Sequence, residues 1–243
     1  MPQIPSLIPN ATLRELVLPF ARQPIELLVV KDPWATLAAN KDDPQHDVYW
    51  GELWPSGVAL ADAVLDGTIP LPDGPEPILE VGCGTGLVSI ATAIAGAAGM
   101  SVLMTDREPR ALLLGQENAQ RNGVAERVRG MRLDWSQKYD GQHRLIFAAD
   151  CLYLTDAGWR LAVFLRRALS RAPGARAVLV DPDRLTARNF SYVAREAGFQ
   201  VRMFQRRVPF MVAHGPVREL HRQDPHAAIR EPLEATFYEL TIA

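Results

Sequence analysis

Four carboxylates recur at one kind of place in this chain. Glu80 stands in "ILEVGCGTGL", Asp106 closes "SVLMTD", Asp134 follows "RVRGMRL" and Asp150 closes "RLIFAAD". Each ends, or nearly ends, a short apolar run of the kind that forms a buried strand. Directly after Glu80 come Gly82, Gly84 and Gly86 at alternate positions. Glycine serves where backbone turns sharply or meets a ligand closely. In an open sheet of parallel strands, a carboxylate at the position of Asp106 faces the ligand crevice and can accept both hydroxyl hydrogen bonds of a ribose. Asp134 and Trp135 together offer an acceptor for an exocyclic adenine amine and an aromatic face to stack on. The plainer reading of Asp106 and Asp134 is strand-terminal capping, which Asp often performs.

Two phosphate-gripping patterns fail on the same residues. A P-loop needs a Lys and a Ser or Thr after its second glycine, and nothing here supplies that Lys. The dinucleotide fingerprint needs glycine at position 87, where this chain has Leu87. What remains is a tight strand-to-helix turn, with or without a nucleoside-type ligand.

The elements that must carry these residues can be read from periodicity. Strands are expected at 78–81, 101–106, 127–133, 144–150, 175–181 and 199–204, with helical patterns at 86–98, 108–122, 156–171 and 184–197. Near-continuous apolar strands alternating with amphipathic helices predict an α/β, doubly wound, mostly parallel sheet covered on both faces. The segment 234–243, "EATFYELTIA", follows without an intervening helix, so a seventh strand is expected to enter antiparallel beside the previous one. "PSGVALADAVLDG" (55–67) reads as a further helix with Pro55 in its first turn. Twelve of the 19 prolines precede residue 80. Residues 1–50 are therefore expected as a strand- and turn-rich N-terminal extension, with one strand in "PIELLVVKDP" (24–33), ahead of a main domain at 51–243.

With these segments placed, "ILEVGCGTGLVSI", "MTDREP", "RLDW" and "FAADCLYLTD" resemble, in order and spacing, the successive motifs of class I, seven-strand S-adenosylmethionine-dependent methyltransferases. Within that class the chain is most similar to the protein lysine methyltransferases, including those of the electron-transfer-flavoprotein β-subunit. "YWGELWPSGVALADAV" resembles their tryptophan-rich first helix, "AADCLY" their Asp-x-x-Tyr motif, and "DPDR" (181–184) their Asp-Pro-x-Arg segment. The resemblance spans about residues 50–243 and implies a Rossmann-like fold.

It also implies roles. Gly82, Gly84 and Gly86 would let backbone pass close to S-adenosylmethionine, with Cys83 and Ala149 beside them and Glu80 orienting the methionine amine. Asp106 would take the ribose, Arg107 would flank the adenine, and Asp134 and Trp135 would hold it. Trp54 would join the cofactor pocket, while Trp50 and Asp181 would lie on the substrate side. The two tryptophans read equally well as core. Asp150 would recruit and aim a lysine amine and Tyr153 would narrow its channel. The sequence lacks Asn-Pro-Pro-Tyr at this place, which favours a basic amine over an amide acceptor.

Composition limits the alternatives. The chain has 243 residues, 48% hydrophobic and 22% charged, with a net charge of −2. Such a balance gives no electrostatic reason to expect nucleic acid as partner, though a local basic patch would survive the average. No apolar run approaches the ~20 residues that span a membrane, and the first residues lack a secretory pattern. Cys83 and Cys151 are the only cysteines, so a disulfide framework is not expected and a cytoplasmic setting is. Two cysteines do not make a metal site, and His214, His221 and His226 lie too far apart for a compact ligand motif. A protein substrate is the favoured partner. The competing readings are a small-molecule or RNA methyltransferase, or a non-catalytic cofactor-binding interaction module.

Overall fold

A computed structural model describes residues 12–32, 49–153, 156–182, 184–209 and 234–242. Within them the strands and helices fall in the order β1 (Leu13–Leu18), β2 (Ile25–Val30), α1 (Pro55–Leu65), β3 (Ile78–Val81), α2 (Leu87–Ala95), β4 (Val102–Asp106), α3 (Pro109–Arg121), β5 (Val128–Arg132), β6 (Leu145–Ala149), α4 (Ala157–Ala168), β7 (Arg176–Asp181), α5 (Phe190–Glu196), β8 (Phe199–Arg207) and β9 (Glu234–Ile242). A seven-stranded sheet runs β5-β4-β3-β6-β7-β9-β8. Its first five strands are parallel, and β9 is antiparallel to both neighbours. The expected antiparallel seventh strand is therefore present. It lies beside β8 as anticipated, and also threads between β8 and β7. The sequence order reverses at β3, between β4 and β6, and there the crevice of such sheets forms.

The period-two alternation of the strands divides the interior into two layers. Ile78, Val102, Met104, Phe147, Val178 and Phe237 point towards α1 and α2. Leu79, Ile146, Ala148, Leu179, Tyr238 and Leu240 point towards α4 and α5. Central strands buried on both faces explain the near-continuous apolar runs in the sequence. The outer strands β5 and β8 carry arginines on exposed positions, which blunts the sheet edges. Among the described residues no helix is long and apolar enough to cross a membrane.

The extension holds more order than its prolines suggest. Leu13–Leu18, a segment that the sequence did not single out within the strand-rich extension, forms a strand paired antiparallel with Ile25–Val30 as a separate two-stranded sheet. This hairpin is fastened to α3 by Asn118, which is fully buried. The Leu28 N–H donates to Asn118 Oδ1 at 2.7 Å, and Asn118 Nδ2 donates to the carbonyls of Leu28 (3.0 Å) and Thr85 (2.9 Å). One amide side chain thus joins the hairpin, the helix and the glycine loop. Residues 210–233, which include the three loop histidines, lie outside the described residues.

Candidate active site at the carboxyl ends of the strands

The loop between β3 and α2 turns into left-handed backbone at three alternate positions, with φ of 68° at Gly82, 52° at Gly84 and 80° at Gly86. Residues with side chains rarely adopt this region. A Cβ on Gly86 would also sit 2.9 Å from the Gly115 Cα, so the helix α3 can approach only because both positions lack side chains. Glu80 lies under the loop, 3% exposed. Its Oε2 accepts from the Ser89 N–H at 2.9 Å and from the Ser89 hydroxyl, at the start of α2. Burial pushes this carboxyl up to about 8 from 4.5, against the downward pull of the Ser89 hydrogen bonds.

Asp106 stands on the far wall of the crevice and is buried. Its Oδ2 accepts from the Gly84 N–H at 3.1 Å and its Oδ1 from the Glu108 N–H at 2.9 Å. Burial raises its pKa, and these two N–H groups oppose the rise. The carboxylate therefore locks the glycine loop to the end of β4 while each oxygen keeps a lone pair for another donor. Asp134 behaves partly as the plainer reading has it. Its Oδ1 accepts from the Ser136 N–H (2.8 Å) and hydroxyl (2.7 Å), capping the turn after β5, and these bonds hold its carboxyl below the usual range. Trp135 reaches the loop: its ring lies 3.6 Å from where a Cβ on Gly82 would be. Arg107 is exposed beside Asp106.

On the other side of β3, Asp150 is the one described non-glycine residue with left-handed backbone, at φ 58°. Its N–H donates to the Val180 carbonyl at 3.0 Å, so the strained turn is tied into the β6–β7 ladder. Ala149 precedes it, half-buried, and Tyr153 follows, 43% exposed. The Asp150 carboxylate forms an ion pair with Arg184, a partner not foreseen from the sequence. Arg184 also bridges to Asp181 Oδ2 at 3.3 Å, and its own N–H donates to Asp181 Oδ1 at 2.7 Å. Its guanidinium stands over the Trp54 ring, 5.6 Å from the centroid, and the Trp54 indole N–H donates to the Tyr49 carbonyl at 3.1 Å.

Two expectations are corrected by this packing. Asp181 is 0% exposed and serves as the seat of Arg184, with no surface for a substrate. Trp50 does not line the mouth. It is buried with Leu28, Val30, Ala111 and Leu114 between the hairpin and α3, and its carbonyl blocks any side chain at Gly84. Asp150 shares its charge with Arg184. Cys83 and Cys151 are both buried, and burial raises both thiols well above their ordinary value. They fill space around the loop, with Cys151 Sγ 2.9 Å from the Cβ that Gly82 lacks. Among the described residues no group of three His, Cys, Asp or Glu could hold a metal.

The chain is similar to known proteins. The family described as "Lysine methyltransferase" matches residues 36–189. The chain belongs to this family. Over 111 residues it is 34% identical to the protein N-lysine methyltransferase METTL21A of Danio rerio, covering 43% of this chain and 48% of that one. Over 82 residues it is 34% identical to the electron transfer flavoprotein beta subunit lysine methyltransferase of Danio rerio, covering 34% and 30%. The chain spans about half or less of the length of the curated relatives it matches, which include ribosomal protein L11 methyltransferases. The solved ribosomal protein L11 methylase of Lactobacillus delbrueckii subsp. bulgaricus shares the fold, with a TM-score of 0.52 at 20% identity over 75% of this chain and 77% of that one.

The residues present fit S-adenosylmethionine, the cofactor that the sequence resemblance implies. The loop at Gly82 and Gly84 is partly open and bare of side chains, Asp106 keeps acceptor capacity beside it, and the Trp135 ring stands at its edge.

Proposed function

We propose that this protein is an S-adenosylmethionine-dependent methyltransferase that modifies the side-chain amine of a lysine in a protein. The observation that carries the reading is the Asp150 carboxylate, held in a strained turn at the end of β6, next to the glycine loop and followed by the exposed Tyr153. The names of the matched relatives, two of them lysine methyltransferases, support the same acceptor class.

S-adenosylmethionine supplies a methyl group on a sulfonium that departs as a neutral thioether. Gly82, Gly84, Asp106 and Trp135 would hold it, and Glu80 would fix the loop from beneath through Ser89. The protein's own work is alignment of nucleophile and methyl group, which can supply ~7–11 kcal/mol. A lysine must also give up a proton from an ordinary pKa near 10.4, and a nearby positive charge favours that loss. Asp150 draws the cation in and aims it, and Tyr153 narrows the approach.

The test is incubation of the purified protein with methyl-labelled S-adenosylmethionine and a cell lysate, followed by nuclease or protease. Label that survives nuclease, is lost to protease and maps to methyl-lysine is expected. Label in nucleic acid or in the small-molecule fraction overturns the reading. On that acceptor, Asp150→Asn at saturating cofactor should lower turnover by roughly thirty- to a thousand-fold.

A further inference from the structure

Arg184 is the residue whose chemistry the reaction has not yet used. It comes from the loop after β7, yet it meets three groups of the site: the Asp150 carboxylate, the Asp181 carboxylate and the Trp54 ring. Its hold on Asp181 is double, through backbone and side chain. The loop itself is tied across to the segment after β6 by a hydrogen bond from the Thr186 hydroxyl to the Leu152 carbonyl. The Asp150 and Asp181 side chains are 7% and 0% exposed, so two buried carboxylates share one guanidinium, whose side chain is 26% exposed. Two such carboxylates alone would attract any cation strongly. With Arg184 the trio carries a net single negative charge.

We propose that Arg184 is a positioning residue that sets how strongly the methyl-transfer site attracts cations. By neutralising one carboxylate of the pair, it keeps the sulfonium and the acceptor ammonium from being over-stabilised. A site that held the ammonium too well would keep its proton on and leave no lone pair for the methyl group. This rests on the amine-acceptor reading, except for its effect on the cofactor, which does not. Among the described residues, Cys151 beside Asp150 feels the charges of Asp106, Asp150, Glu80 and Arg184 together, so Glu80 and Asp106 also bear on the pocket, and Tyr153 follows the same turn. Burial raises Glu80 in the parent, and the residue is common to parent and variants, so the displacement between them is what reports on Arg184.

The experiment compares the parent with Arg184→Gln, Arg184→Lys and Asp181→Asn. Calorimetry gives each protein's affinity for S-adenosylmethionine and for S-adenosylhomocysteine, which differ by one methyl group and one positive charge. Removing this unit charge should raise the preference for the charged ligand about three- to tenfold in Arg184→Gln. Arg184→Lys keeps the charge and should match the parent. Asp181→Asn removes a negative charge and should shift the preference the other way. With the labelled acceptor fraction, the acid limb of single-turnover transfer should move about one pH unit upward in Arg184→Gln and downward in Asp181→Asn. The acceptor KM of Arg184→Gln should fall while its neutral-pH rate falls too. Misfolding cannot produce opposite shifts in two variants, and Asp181→Asn carries the test if Arg184→Gln does not fold. An unchanged ligand preference, or the same direction of change in both variants, overturns the proposal. A parent that transfers no label to lysine at any pH overturns the acceptor reading instead, while the ligand preference still decides the role of Arg184.

Discussion

Replacing Glu80 by Gln gives the clearest quantitative test of the buried site. Glu80 is nearly inaccessible, and burial lifts its carboxyl from 4.5 to about 8 despite two hydrogen bonds from Ser89. A carboxyl with a raised folded-state pKa holds its proton more tightly in the folded protein. Its contribution to stability is fully present below the unfolded value and is lost as the pH rises through the folded one. At ~1.4 kcal/mol per pH unit, the interval corresponds to several kcal/mol, on the order of 4–5. A glutamine side chain in its place would keep the oxygen that Ser89 needs and could not ionise. Urea unfolding of both proteins between pH 5 and pH 9 should therefore show the parent losing stability relative to Glu80→Gln over this range, and levelling off above about pH 8. Asp106 also has a raised pKa, but it is common to both proteins and drops out of the comparison. Parallel profiles across the whole range would refute a buried, proton-retaining Glu80. The same proton has a functional readout. A cation binding above the carboxyl favours its charged form, so uptake of S-adenosylmethionine near pH 7 should release protons, visible as buffer-dependent heat that Glu80→Gln loses.

Asp106→Ala should weaken S-adenosylmethionine by about 1.5–3 kcal/mol, the range for hydrogen bonds to a charged group; calorimetry with unchanged affinity would place the ribose elsewhere. Gly86→Ala should cost about 2–3 kcal/mol in stability, from left-handed backbone and the clash with Gly115, and a melting temperature equal to the parent's would count against the close approach of α3. Asn118→Ala strands buried groups of Leu28 and Thr85 and should cost about 2–4 kcal/mol by urea unfolding; a loss under about 1 kcal/mol would show the hairpin to be held by other contacts.

The sheet was legible because its central strands are buried on both faces and read as apolar runs, and because glycines and carboxylates punctuate their ends. The spacing of Gly82, Gly84 and Gly86 could be seen in a line of letters, since the left-handed turns act on neighbouring residues. What escaped the sequence is long-range. Leu13–Leu18 alternates only loosely, and its partner strand and its anchor Asn118 are identifiable only once α3 is folded beside them. Trp50 and Trp54 stand four residues apart with the same chemistry, yet one is core and the other lies under Arg184. Arg184 had no legible role within "DPDR", because an arginine three residues beyond Asp181 gives no sign that it crosses to the neighbouring strand end. Its contact with Asp150 bridges 34 positions of chain that only the β6–β7 pairing brings together.

The position of β9 has a consequence for how this site comes into being. β9 fills the gap between β7 and β8, two strands that precede it in the chain, and it covers β7 up to the pairing of Asp181 with Thr236. During synthesis, any polypeptide that stops short of residue 234 presents β7 with one open edge and β8 with no partner at all. Such edges invite pairing with other chains. The glycine-loop half of the sheet, β5-β4-β3-β6, can assemble well before that moment, whereas the strand that carries Asp181 and seats Arg184 is completed last. Nascent-chain fragments ending near residue 208 should therefore bind chaperones or aggregate, and the onset of a soluble, protease-resistant fold should coincide with the emergence of β9.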